Sequence, residues 1–361
     1  MDPDGVSAAP RAPPGERDAT LGRMAKSHRP EPGYSVLAAF GILPAFMVVS
    51  MITGLVLVVW GTVTGSVRPD DADGIQAWLE ELIVTAPGLI VMTLPGQAFL
   101  IAVAFLWARV SKFPWRERLS LRSPGLGPLS WALIVGGSFG MLLTVQLVSE
   151  HLIQEPSEQL QMIAKVLTET RGATAVLVAV LFSLVPGFSE ELFFRGLVQT
   201  GLARWPAWVA IGLSAFTFAL LHMDPQHSTL VLPLGVWFAF VAWATRSVVT
   251  SMVVHALNNL TAIVLGQRFG DAKWSELAPP AMLYSVAGVL LLVAAACVVH
   301  LVRRRGPDPE PEPLPEPEAP PAVAPPVARA QEETRRKDTG PSWTSSEASP
   351  RPPSADPPSP G

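Results

Sequence analysis

The sequence predicts an all-α polytopic membrane bundle of about eight transmembrane helices, with disordered N- and C-terminal tails. Three observations lead there. Hydrophobic residues make up 49% of the 361-residue chain and charged residues only 16%, a membrane-like balance. The apolar residues lie in long blocks rather than amphipathic stripes, and about eight of these blocks approach the ~20 residues a helix needs to cross the hydrocarbon core. Both ends, in contrast, are too rich in proline and polar residues to bury a core.

Residues 1–33 form a polar segment rich in Pro, Asp, Arg and Gly, expected to be disordered and water-exposed. Its length, and the long apolar run after it, indicate a retained first span rather than a signal peptide. The membrane domain occupies residues 34–305, with spans expected at 35–64, 82–110, 127–148, 173–202, 206–222, 229–244, 248–265 and 280–302. Ala86-Pro87-Gly88 and Leu94-Pro95-Gly96 interrupt the second span, where a kink is tolerated if neighbouring helices satisfy the freed backbone groups. The polar loop 149–172 sets Leu160, Met162, Ile163, Val166 and Leu167 among charged residues and reads as an amphipathic surface helix. Residues 306–361 are dominated first by Pro and Glu, then by Pro, Ser and Ala, a composition that favours extended polyproline II over any packed fold.

Lys and Arg in short loops concentrate on the cytoplasmic side. Arg23, Lys26 and Arg29 precede the first span, Arg109, Lys112, Arg116, Arg118 and Arg122 follow the second, and Arg303, Arg304 and Arg305 follow the eighth. The loop from Arg68 to Glu81 is acidic instead. Both termini are therefore expected in the cytoplasm, with the chain in a bacterial inner membrane. The formal charge of −4 points to neither a nucleic-acid partner nor an acidic substrate. Cys297 is the single cysteine, which excludes an intrachain disulfide and a cysteine-based structural zinc site.

An ionisable residue in mid-membrane costs about 2.5–3.5 kcal/mol on insertion scales, so it normally faces a protein interior or a wet cavity. Three segments carry such residues. In the fourth block, Pro186 and Gly187 are expected to break the helix, with Ser189 capping a new one that begins at Glu190 and Glu191. Glu191 and Arg195 are four apart and can pair, whether as helix glue or in chemistry, while Glu190 is turned about 100° away toward another helix. Phe218 and His222 share a face in the fifth span, as do His255 and Asn259 in the seventh. Amide hydrolysis needs an activated water and donors for the oxyanion. Glu190 with His222 can activate water, and His255 with Asn259 can donate to the developing charge. Phe218 reads as core or cavity wall.

These residues resemble the CPBP family of intramembrane proteases, the group that includes CAAX prenyl endopeptidases of the Rce1 type and is also called Abi. The family pattern EExxxR, FxxxH and HxxxN is matched by Glu190, Glu191 and Arg195, by Phe218 and His222, and by His255 and Asn259, in that order. The resemblance spans residues 173–265. It implies an eight-helix fold around a membrane cavity, water activated by Glu190 and His222, and an oxyanion held by His255 and Asn259. The implied substrate is a peptide or protein, lipidated or carrying a leader, met among membrane lipids. Cofactor use stays open: Glu190, His222 and His255 could hold zinc with a place for water, yet a metal-free glutamate mechanism suits the same residues. Two other readings are a non-catalytic immunity or scaffold protein that binds a peptide, and a proton- or ion-coupled transporter. No repeated pair of broken helices supports the transporter.

Overall fold

A computed structural model describes residues 32–110, 114–270 and 272–306 of the chain. The readings made for the two terminal tails, and for Arg23, Lys26, Arg29 and Lys112, lie outside the described residues. Among the described residues the protein is helical, with no strand. In chain order the helices are α1 (Pro32–Val63), α2 (Ala72–Ile83), α3 (Ala86–Val110), α4 (Trp115–Arg118), α5 (Pro128–Leu152), α6 (Glu158–Glu169) and α7 (Gly172–Glu191). A π-helical segment, Leu192–Gln199, extends α7, and then come α8 (Ala207–Leu220), α9 (Pro225–Thr245), α10 (Val248–Phe269), α11 (Trp274–Leu277) and α12 (Pro280–Arg305).

Seven of these helices, counting α7 with its π extension as one, are long and apolar enough to span a membrane, and the described protein is an integral membrane bundle. The outward faces of α1 and α12 are lined with exposed Leu, Val, Met and Trp side chains, a surface suited to lipid and not to water. The expected fifth span is α8, with 14 residues. At 1.5 Å per residue it rises only about 21 Å, less than the ~30 Å hydrocarbon core. His222 follows the end of this helix and lines the same cavity as Glu190.

Small residues let the helices approach closely, as expected where no hydrophobic force drives association within lipid. Helix α5 packs on α12, where a Cβ added at Gly140 would lie 2.8 Å from the Leu290 backbone. Helix α7 packs on α10, where a Cβ at Gly187 would lie 3.0 Å from Ala256. Helix α8 packs on α9, with Gly235 leaving room for the Phe218 ring. A large apolar core built on Phe193, Phe194, Leu197 and Phe218 joins the π segment to α1, α3 and α8.

Two local expectations are corrected. The fourth block does not break at Pro186-Gly187, and Ser189 does not cap a new helix: α7 runs through both residues to Glu191. Proline has no N–H to give the carbonyl four residues back, here that of Phe182, and Asn259 Nδ2 on α10 donates to this oxygen at 3.3 Å. Gly187 brings α10 close enough for that reach. The irregularity lies one turn later, in the π segment, where every residue is buried. The loop 149–172 does contain an amphipathic helix, α6, but it packs against α10 with Val166 buried rather than lying on a free surface.

Replacing Gly140 by Val should force α5 away from α12, because the clash is with backbone. We expect a loss of about 1–3 kcal/mol, measurable as a lowered thermal unfolding midpoint in detergent; an unchanged midpoint would contradict the close approach.

Candidate active site

A cavity of about 680 Å³ opens between α3, α5, α6, α7, α9 and α10 and the end of α8. Glu190, Phe218, His222, His255 and Asn259 all line it. Helix α7, the end of α8 and helix α10 thus bring the motif residues to one space. Glu191 and Arg195 do not line the cavity; they lie beneath it, fully buried.

The buried layer fixes the geometry. Arg195 Nη1 donates to Glu191 Oε1 at 2.9 Å, the pairing expected from their spacing, and Arg195 Nη2 donates to the Gly235 carbonyl at 2.8 Å. Its guanidinium stands 4.6 Å over the Phe218 ring. The same Glu191 oxygen accepts from His255 Nδ1 at 2.9 Å. A carboxylate can only accept here, so the Nδ1 proton is held and Nε2 is left for the cavity. Phe238 stacks on the His255 ring at 4.7 Å, and Phe218 meets it edge-on at 5.7 Å. His255 Nε2 then stands 3.9 Å from Glu190 Oε2, too far for a direct hydrogen bond and near enough for one through water.

His222 is oriented in a similar way. Its Nδ1 donates to the Phe218 carbonyl at 3.2 Å, which leaves the Nε2 lone pair available. The Phe218 ring lies 5.2 Å from His222 and 5.7 Å from His255, so one phenyl group spaces both imidazoles. Asn259 spends one amide proton on Phe182 and keeps a second N–H and its oxygen.

Several polar residues of the cavity were not singled out from the sequence. Gln97 on α3 donates to Glu190 Oε1 at 3.0 Å. His227 at the start of α9 sits with its ring 4.5 Å from that of His222. Gln159 on α6 donates to the His222 carbonyl at 3.3 Å and lies 3.4 Å from His227 Nδ1, so α6 roofs the cavity and touches both imidazole-bearing turns. Ser157 N–H donates to Gln226 at 2.7 Å, fastening the start of α6 to α9. A glutamine inside an apolar span was the available signal for Gln97. Nothing in local spacing marks Gln159, whose place depends on how α6 docks.

Zinc does not fit these residues. Among the described residues, no group of three His, Cys, Asp or Glu side chains is arranged to hold a metal ion.

A family model described as type II CAAX prenyl endopeptidase Rce1-like matches residues 172–261. That stretch runs from the start of α7 into α10 and contains Glu190, Glu191, Arg195, Phe218, His222, His255 and Asn259. No curated protein and no solved structure matches the chain.

Removing only one partner of a buried pair strands the other charge. Arg195→Met should therefore cost about 3–5 kcal/mol, whereas Arg195→Met with Glu191→Gln should recover most of that loss. Denaturant or thermal unfolding of the three proteins in detergent checks this; equal losses in the single and double variants would contradict a paired charge.

Proposed function

We propose, from the match of residues 172–261 to the Rce1-like model of type II CAAX prenyl endopeptidases, that this protein is an endopeptidase that cleaves a peptide bond within its membrane cavity by a metal-free, glutamate-activated water. The observation that carries the reading is the shared cavity: Glu190, His222, His255 and Asn259 line one space, and the groups behind them leave each with a free atom facing it.

In this reading Glu190 takes a proton from water while the His222 Nε2 lone pair orients it. The water oxygen attacks the scissile carbonyl carbon, and the carbonyl oxygen gains a negative charge. The second N–H of Asn259 donates to that oxygen, and a proton on His255 Nε2 would do the same. The C–N bond then breaks, and the proton held by Glu190 passes to the leaving nitrogen, giving an amine and a carboxylic acid. Each charge that develops meets a group already fixed in place, which is where most of the rate gain arises.

Apart from this polar end the cavity is walled by Leu89, Met92, Ile163, Leu230 and Leu234. That wall suits a substrate with apolar or lipidated residues beside the bond to be cut, or the apolar core of a leader peptide. The loop charges favour both termini in the cytoplasm, and a bacterial inner membrane is the setting we assign.

Glu190→Gln and His222→Ala should each lower hydrolysis of a peptide panel by about 10²–10⁴-fold while leaving membrane insertion unchanged. Undiminished cleavage by either variant would overturn the assignment. Exhaustive chelation should leave the parent's rate unaltered; a rate lost to chelator and restored by zinc would overturn the metal-free mechanism.

A further inference from the structure

We propose that Gln97 is the positioning residue for Glu190, holding one carboxyl oxygen away from the cavity and staying bonded to it in both protonation states. The inference rests on the reading of Glu190 as the group that takes the proton from water.

Gln97 stands on α3, 93 positions before Glu190 and outside the stretch that matches the family model. It is buried, with 6% of its surface exposed, and lines the same cavity. Its Nε2 donates to Glu190 Oε1 at 3.0 Å, which turns Oε2 toward His255. The helix that carries it is pinned: a Cβ at the neighbouring Gly96 would lie 2.5 Å from the Phe46 ring of α1. The amide is gripped at its other end too, because Gln97 Oε1 is bonded to Ser189 Oγ, one residue before the carboxylate. Ser189 Oγ also lies 2.7 Å from the Val185 carbonyl.

A hydroxyl has one proton to give and lone pairs to receive. This four-membered chain therefore has two complete arrangements. With Glu190 ionised, Gln97 Nε2 donates to the carboxylate and Ser189 donates to Gln97 Oε1. With Glu190 protonated, the Gln97 amide turns over about its terminal bond. Gln97 Oε1 then accepts from the carboxylic O–H, Nε2 donates to Ser189 Oγ, and Ser189 donates to the Val185 carbonyl. In both arrangements Glu190, Gln97 and Ser189 stay hydrogen-bonded to one another. A base in a dry site can thus change charge without stranding a buried donor or acceptor, which would cost free energy each turnover. Asparagine is one methylene too short for this reach, and glutamate would set a second acid against the first.

The test uses the full chain in detergent, with Gln97→Leu and Gln97→Met as variants matched roughly in size, and Ser189→Ala to remove the second grip. We expect Gln97→Leu to lose about 10–100-fold in kcat, with KM changed less than about twofold. The acid limb of its pH–rate profile should be displaced by about half a unit or more, whereas a packing defect would scale the whole profile. Ser189→Ala should show a smaller change of the same kind. The Glu190 carboxyl bands, identified by infrared difference between the parent and Glu190→Gln, should shift in Gln97→Leu and Gln97→Met. Unchanged profile shape and unchanged bands in a folded variant, whatever the amplitude, would overturn the proposal. Shifted bands in a protein whose parent cleaves no peptide would uphold the Gln97 contact and sink the protease reading instead.

Discussion

One carboxylate oxygen organises the centre of this protein. Glu191 Oε1 receives both Arg195 Nη1 and His255 Nδ1, each at 2.9 Å, in a region with no access to solvent. Burying a charge there is costly unless it is paired and hydrogen-bonded, and the arrangement around Glu191 is built to meet that demand. Arg195 neutralises it, and the Gly235 carbonyl and Phe218 ring occupy the far side of the guanidinium. His255 donates to the same oxygen, and in doing so has its tautomer and ring plane decided. The two adjacent acids consequently have separate tasks. Glu191 serves the interior and Glu190 serves the cavity, a division that follows from the rotation of about 100° between neighbours on a helix.

The second constraint is backbone. Pro186 removes the donor for the Phe182 carbonyl in the middle of α7, and the helix survives because α10 supplies a replacement through Asn259. The bond also ties the helix of Glu190 to the helix of His255. Asn259 is thus fastened by the group it stabilises, so its remaining N–H is presented from a fixed carboxamide rather than a freely turning one. A proline that reads as a breaker becomes, in context, the reason a polar side chain is anchored across the interface.

Much of this was legible in the chain. The apolar blocks announced the helices, because a span in lipid must be long, apolar and internally hydrogen-bonded. The intramembrane acids, imidazoles and carboxamide stood out for the cost of placing them there, and their four-residue spacings correctly paired Glu191 with Arg195. What misled was local chemistry read without neighbours. Pro186-Gly187 and Ser189 carry the ordinary marks of a helix end and cap, and only the approach of α10 and α3 decides otherwise. The π segment was hidden for a related reason: Leu192–Gln199 has no propensity signal, and its wider turn is stabilised by complete burial. Gln159 and His227 were hidden because nothing in sequence spacing sets α6 over the His222 turn.

The cavity also divides its labour between parts of the chain. Residues 172–261 supply the motif residues and the layer behind them, yet much of the remaining wall comes from elsewhere. Helix α3 brings Leu89, Met92 and Gln97, α5 brings Leu142 and Val145, and α6 brings the roof. Chemistry and shape can therefore vary independently: the buried Glu191 network constrains the motif residues tightly, while an apolar wall tolerates exchange of one aliphatic side chain for another of similar volume. Gln97 is the exception, since it belongs by position to the wall outside residues 172–261 and by hydrogen bonding to the acid. Through that one residue the packing of α3 against α7 bears directly on the orientation of the Glu190 carboxylate, so the elements that shape the cavity are not independent of the acid that lines it.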